Sequence, residues 1–118
     1  MAFRDLSGAV DFAHLEAYTL NDVGIIEEVL TLFSQQAEIW SPLLDVSHAG
    51  WRDAAHTLKG AAAGIGANAL AAAAEAAERG DTDGAAGRLL KVRDALDAAL
   101  MDVAAYLHGL RLRALKAQ

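Results

Sequence analysis

Through most of the chain apolar residues recur every three or four positions, the repeat that gathers them on one side of an α-helix. The first such stretch is short: Phe12, Leu15 and Tyr18 follow Asp11, a side chain suited to capping a helix start. Thr19 or Asn21 can cap the next helix, with Asp22 adding favourable charge to its first turn. That second helix carries Ile26, Leu30, Phe33, Ala37, Trp40 and Leu44 on one stripe. Pro42 should bend or interrupt it, because proline removes an N–H and crowds the preceding turn. Ser47 to Gly50 then reads as a short turn.

A third helix is predicted from Trp51 to about Ile65. Trp51, Ala54 or Ala55, Leu58, Ala62 and Ile65 face inward, while Arg52, Asp53, His56, Lys59 and Ala63 lie on or near the opposite side. Gly66 and Asn68 mark a corner before a fourth helix from Ala69 to Arg79, which buries Leu70, Ala73, Ala74 and Ala77. Gly80 and Asp81 form a stop, with Gly80 available for a left-handed C-cap. From Asp83 to about Leu115, with Asp81 or Thr82 as cap, Leu89, Val92, Leu96, Ala99 or Leu100, Val103, Leu107 and Leu110 keep the period of a long last helix.

Each predicted helix hides one stripe and none is stable alone, so they must share a core. The predicted class is all-α: an antiparallel four-helix bundle with a short additional N-terminal helix. Residues 1–10 are expected to form a tail or cap, and residues 11–118 the bundle. Composition sharpens this picture: 54% of the 118 residues are hydrophobic but only 6% aromatic, and the alanine-rich faces let helix axes approach closely.

Sixteen acidic against ten basic residues give a net charge of -6, which disfavours nucleic acid as a partner of the bulk surface. No cysteine is present, excluding disulfides, thiolate metal sites and cysteine nucleophiles. The longest low-polarity stretch, residues 60–74, is interrupted by glycines and Asn68 and is too weakly apolar to span a membrane. A secretory signal is not visible at the start, so the expected location is the cytoplasm.

Candidate chemistry is sparse. Glu27 with Glu28, and Glu75 with Glu78, lie on ordinary amphipathic helices and read first as solvated surface. His14, His48, His56 and His108 are scattered over four segments without a compact metal-ligand spacing. The stretch from Ala55 to Ala67 differs, because His56, Lys59 and Gly60 share the outer side of the third helix while Leu58 and Ile65 face in. A lysine one turn from an imidazole can neutralise phosphoryl oxygens held on the ring nitrogen, and the glycine clears room for a protein partner. On composition alone His56 reads as an incidental surface histidine.

The run His56-Thr57-Leu58-Lys59-Gly60-Ala61-Ala62, followed by Ile65, Gly66, Ala67 and Leu70, resembles the signature of histidine-containing phosphotransfer (HPt) domains. Asp11, Phe12, Leu15, Asp22, Leu30 and Phe33 are similar to the family's lead-in, and the likeness covers roughly residues 11–110. The resemblance implies an intermediate phosphocarrier in a multistep His-Asp relay, without a kinase ATP site. His56 then corresponds to the phospho-accepting histidine, Lys59 to its neighbouring cation and Gly60 to the clearance position. Glu78, 22 positions on, corresponds to the glutamine or glutamate that reaches the histidine's other nitrogen; alternatively it only solvates its helix beside Arg79.

Partners implied by the resemblance are response-regulator receiver domains and a hybrid histidine kinase. Arg52, Ala63 and outward positions of the second helix are the docking candidates. The chain itself is expected to bind no cofactor, Mg²⁺ belonging to the receiver, and to be a monomer. Two other readings stay open: a non-catalytic helical module that binds receivers or a kinase, and the excised phosphotransfer domain of a chemotaxis-type kinase. Gly64 departs from the family habit and is expected to loosen the end of the third helix.

Overall fold

In the computed structural model, which describes residues 6–117, every regular element is helical. In chain order these are α1 (Phe12–Tyr18), α2 (Val23–Trp40), a 3₁₀ turn (Ser41–Leu43), α3 (Trp51–Ile65), α4 (Asn68–Arg79) and α5 (Ala85–Ala117). Helix α2 packs on α3, α3 on α4, α4 on α5, and α5 back on α2, which closes a four-helix bundle. The short α1 lies against α3. The first five residues of the expected tail or cap lie outside the described residues.

Elementary capping chemistry explains where the helices begin and end. Asp11 starts α1 by accepting from the His14 amide at 3.3 Å. Asp22, rather than Thr19 or Asn21, caps α2 through a 3.1 Å bond from the Ile25 amide. Thr19 is unavailable for that task because its hydroxyl donates to the Leu15 carbonyl at 2.8 Å, closing α1 instead. Leu20 and Asn21 make the corner with φ of 54° and 60°. Pro42 ends α2 at Trp40 and sits at the start of the 3₁₀ turn, where its missing N–H costs nothing.

Gly66 terminates α3 in the left-handed conformation, φ 85°. Its carbonyl accepts from the Asp11 amide at 2.8 Å, and an added Cβ would come within 2.6 Å of the Asp11 oxygen. Only glycine fits both demands, so the sequence before α1 pins the α3–α4 corner. Gly64 leaves α3 helical through Ile65, so the glycine does not end the helix early.

The second corner departs from expectation. Gly80 is extended, φ -72°, not left-handed. Its lack of a side chain serves close approach: the Arg88 guanidinium, which donates to the Asp81 carbonyl, occupies the space a Cβ would need. Asp81 accepts from the Gly84 amide at 3.3 Å and Thr82 from the Ala85 amide at 3.1 Å. This turn delays the start of α5 to Ala85, later than the predicted Asp83.

The core is aliphatic. Leu30, Leu58, Leu70, Leu89 and Leu96 are fully buried, each contributing about 1.5–3 kcal/mol relative to an exposed side chain. Between α3 and α4, Ala55, Ala62, Ala74 and Ala77 have no exposed surface, and their small side chains let these two helices make the most extensive contact in the fold. Leu107 and Leu110 remain in the core, whereas Leu112 and Leu115 are exposed past the end of the bundle. Hence only the last two of these leucines are available for self-association.

Polar groups also enter the interior. Asp102, 1% exposed, accepts from the Ser7 amide at 2.8 Å, the Ser7 hydroxyl at 2.9 Å and the Ala9 amide at 3.0 Å. One turn on, Tyr106 stacks on Phe12 with ring centroids 4.2 Å apart and donates to Glu16 at 2.5 Å. Burial, reinforced by the Glu16 carboxylate, pushes the Tyr106 phenol well above its ordinary pKa. Among the described residues no helix is long and apolar enough to cross a membrane.

Candidate functional site

The polar face of α3 carries the candidate chemistry because its opposite face is fully committed to the core. Ala55, Leu58 and Ala62 point inward without exposed surface, which turns His56 outward. The imidazole is 65% exposed, so a partner can reach it. Lys59, one turn on, is half-buried and lies on the same side.

Glu78 in the last turn of α4 joins the two. His56 Nδ1 lies 2.6 Å from Glu78 Oε2, and Lys59 Nζ lies 3.1 Å from Oε1. Each carboxylate oxygen therefore has its own partner. A carboxylate only accepts, so the proton at this short separation belongs on Nδ1, leaving the Nε2 lone pair free. The hydrogen bond from Lys59 holds the Glu78 carboxyl below the usual glutamate range; partial burial opposes this and the His56 contact adds to it.

Gly60 sits beside this group, and a Cβ there would meet nothing within 4 Å. Nothing inside the chain requires glycine at this place in the helix, where it costs about 1 kcal/mol relative to alanine. The open space lies on the outward face with His56. Ala63 is also exposed on α3.

A shallow apolar groove runs between α2 and α3 beside this face. Leu32, Gln36 and Trp40 line it from α2, with Ala61 and Gly64 from α3. Farther along, Ile39 and Leu43 face Asp53 and Thr57, the residues three before and one after His56. The outward positions of α2 thus adjoin the histidine's neighbours.

Arg52, expected among the docking positions, is half-buried and makes contacts within the chain. Its guanidinium lies 4.4 Å from the Trp51 ring centroid, and Nη1 donates to the Glu78 backbone carbonyl at 2.6 Å. This connection is not visible from α3 alone. Its only sequence signal is the four-residue interval to His56, which puts Arg52 on the same helix face.

Residues 26–102 match the Hpt domain family. No curated protein matches the chain. The crystal structure of the histidine phosphotransferase ShpA from Caulobacter crescentus is similar, with 51% sequence identity and a TM-score of 0.82, covering 92% of this chain and 99% of that one. With the family's span on the bundle and an exposed histidine on its third helix, the chain belongs to the Hpt domain family, the phosphocarriers of His-Asp relays.

Proposed function

We propose that His56 is the residue that carries phosphate in this Hpt domain, with Glu78 as its orienting acceptor and Lys59 as its electrostatic partner. The single observation that supports this most is the 2.6 Å contact between Nδ1 of an exposed imidazole and a carboxylate supplied by the next helix. In the proposed reaction a receiver domain presents an aspartyl phosphate to the α3 face. The Nε2 lone pair attacks phosphorus, a P–N bond forms, and the P–O bond to the receiver aspartate breaks with its electron pair leaving on the carboxylate.

The ring then bears a positive charge shared with Nδ1–H, and Glu78 stabilises it through the existing contact. Lys59 is within reach of both the carboxylate and the incoming phosphoryl oxygens, whose charge it neutralises as the transition state develops. The Mg²⁺ of the reaction belongs to the receiver. Transfer to a second receiver aspartate reverses these bond changes.

The partners proposed are receiver domains, including one in a hybrid histidine kinase, meeting a monomer in the cytoplasm. Gly60 and Ala63 clear the approach, and the α2–α3 groove supplies apolar contact of the modest extent suited to rapid exchange. Mixing the protein with a phosphorylated receiver should give acid-labile phosphate on this chain, and His56→Gln should abolish it. Equal labelling of the His56→Gln variant overturns the assignment. Stable receiver binding without any labelling of the unaltered chain would indicate the non-catalytic module instead.

A further inference from the structure

Arg52 occupies α3 one turn before His56, and its side chain reaches across to the end of α4. We propose that Arg52 is a positioning residue for phosphotransfer: it anchors the last turn of α4 so that Glu78 holds His56 with its proton on Nδ1. The proposal rests on the reading that His56 accepts phosphate.

The need for such an anchor follows from where Glu78 lies. Helix α4 ends at Arg79, so Glu78 is in the last turn, where carbonyls run out of amide donors farther along the helix and the backbone tends to fray. Yet the Glu78 carboxylate must keep one oxygen 2.6 Å from His56 and the other 3.1 Å from Lys59. Arg52 Nη1 gives the Glu78 carbonyl a short donor from a neighbouring helix, and its positive charge complements the negative end of α4.

Arginine suits this task because one flat group can serve two contacts. The guanidinium is braced over Trp51, which is itself buried, while its edge donates to Glu78. The same helix therefore bears the nucleophile and, through Arg52, fixes the backbone of the residue that orients it. If Glu78 drifts, the imidazole can move its proton to Nε2, which removes the lone pair that attacks phosphorus.

The test compares wild type, R52M and R52K by ¹⁵N NMR of the His56 ring and by transfer kinetics from a phosphorylated receiver domain. R52M should lose Nδ1–H tautomer signal and lower kcat about tenfold, with KM for the receiver nearly unchanged. R52K, which keeps a donor and the charge, should recover part of both. Wild-type tautomer signals and kcat in folded R52M overturn the proposal, as does a raised KM at unchanged kcat, the mark of a docking residue. If thermal melting shows R52M to be unfolded, R52Q is judged by the same two readouts. The ring spectra require no receiver, so a failure of His56 labelling in wild type defeats the phosphocarrier assignment separately from the anchoring role.

Discussion

Two carboxylates in this bundle do opposite work with similar chemistry. Asp102 lies on the α5 side, is shut away from water, and accepts three bonds from Ser7 and Ala9. Glu78 lies at the end of α4, is one-quarter exposed, and divides its oxygens between His56 and Lys59. Asp102 spends its charge on fixing the chain before α1. Glu78 directs its charge to a ring that another protein can reach. The difference lies in exposure and in what the donors do next: backbone amides stay where they are, whereas an imidazole can react at its far nitrogen.

The largest expected effect comes from removing the buried member of the pair. Asp102→Ala should lower stability by about 3 kcal/mol, since three hydrogen bonds to one buried carboxylate are lost together. Chemical denaturation measures this, and transfer by the fraction that remains folded should be unchanged. A slower rate in that fraction would show that the two clusters are coupled.

Glu78→Ala should do the reverse, slowing transfer by about 10- to 100-fold while moving the melting temperature little. Lys59→Ala should fold normally and slow transfer by about tenfold, an effect of roughly 1.4 kcal/mol on the barrier. Rapid-quench kinetics with a phosphorylated receiver distinguish these outcomes. An unchanged rate in Lys59→Ala would remove its electrostatic role.

Gly64→Ala should raise stability by about 1 kcal/mol, because α3 continues through this position and an added Cβ meets open space. Thermal denaturation checks the gain. The residue also lines the α2–α3 groove, so receiver affinity in the same variant shows whether that groove tolerates a methyl group.

The smallest effects should be the pH limits, which have opposite signs at the two ends. Glu78 has a lowered pKa in the fold, through Lys59 first, so its contribution is present above the unfolded carboxyl range and disappears as pH falls through the folded value. Stability differences between wild type and Glu78→Ala should therefore shrink below roughly pH 4. Tyr106 has a raised pKa through burial and then Glu16, so its contribution is present below the unfolded phenol value and fades as pH climbs beyond roughly 10. Melting temperatures across both ranges, with Tyr106→Phe as the alkaline control, would expose either sign as wrong.

Much of this arrangement was legible as periodicity. The apolar stripes of α2, α3 and α5 name most of the residues that are buried, and the outward grouping of His56 with Lys59 follows from helical spacing. Glu78 was reachable only through resemblance, since no local pattern tells which turn of α4 faces α3. Asp102 and Tyr106 do not stand out in an apolar period although they occupy the same stripe as Ala99 and Val103. Polar residues at interior positions were the available signal; their partners, Ser7, Ala9 and Glu16, are more than 80 residues away in sequence, beyond what a helical period records.

The alanines between α3 and α4 have a chemical consequence. By having almost nothing to insert, Ala55, Ala62, Ala74 and Ala77 act as a ruler that fixes how far the carboxylate stands from the imidazole. A few methyl groups in the dry interior thereby calibrate the setting of an imidazole on the wet side of the same helix.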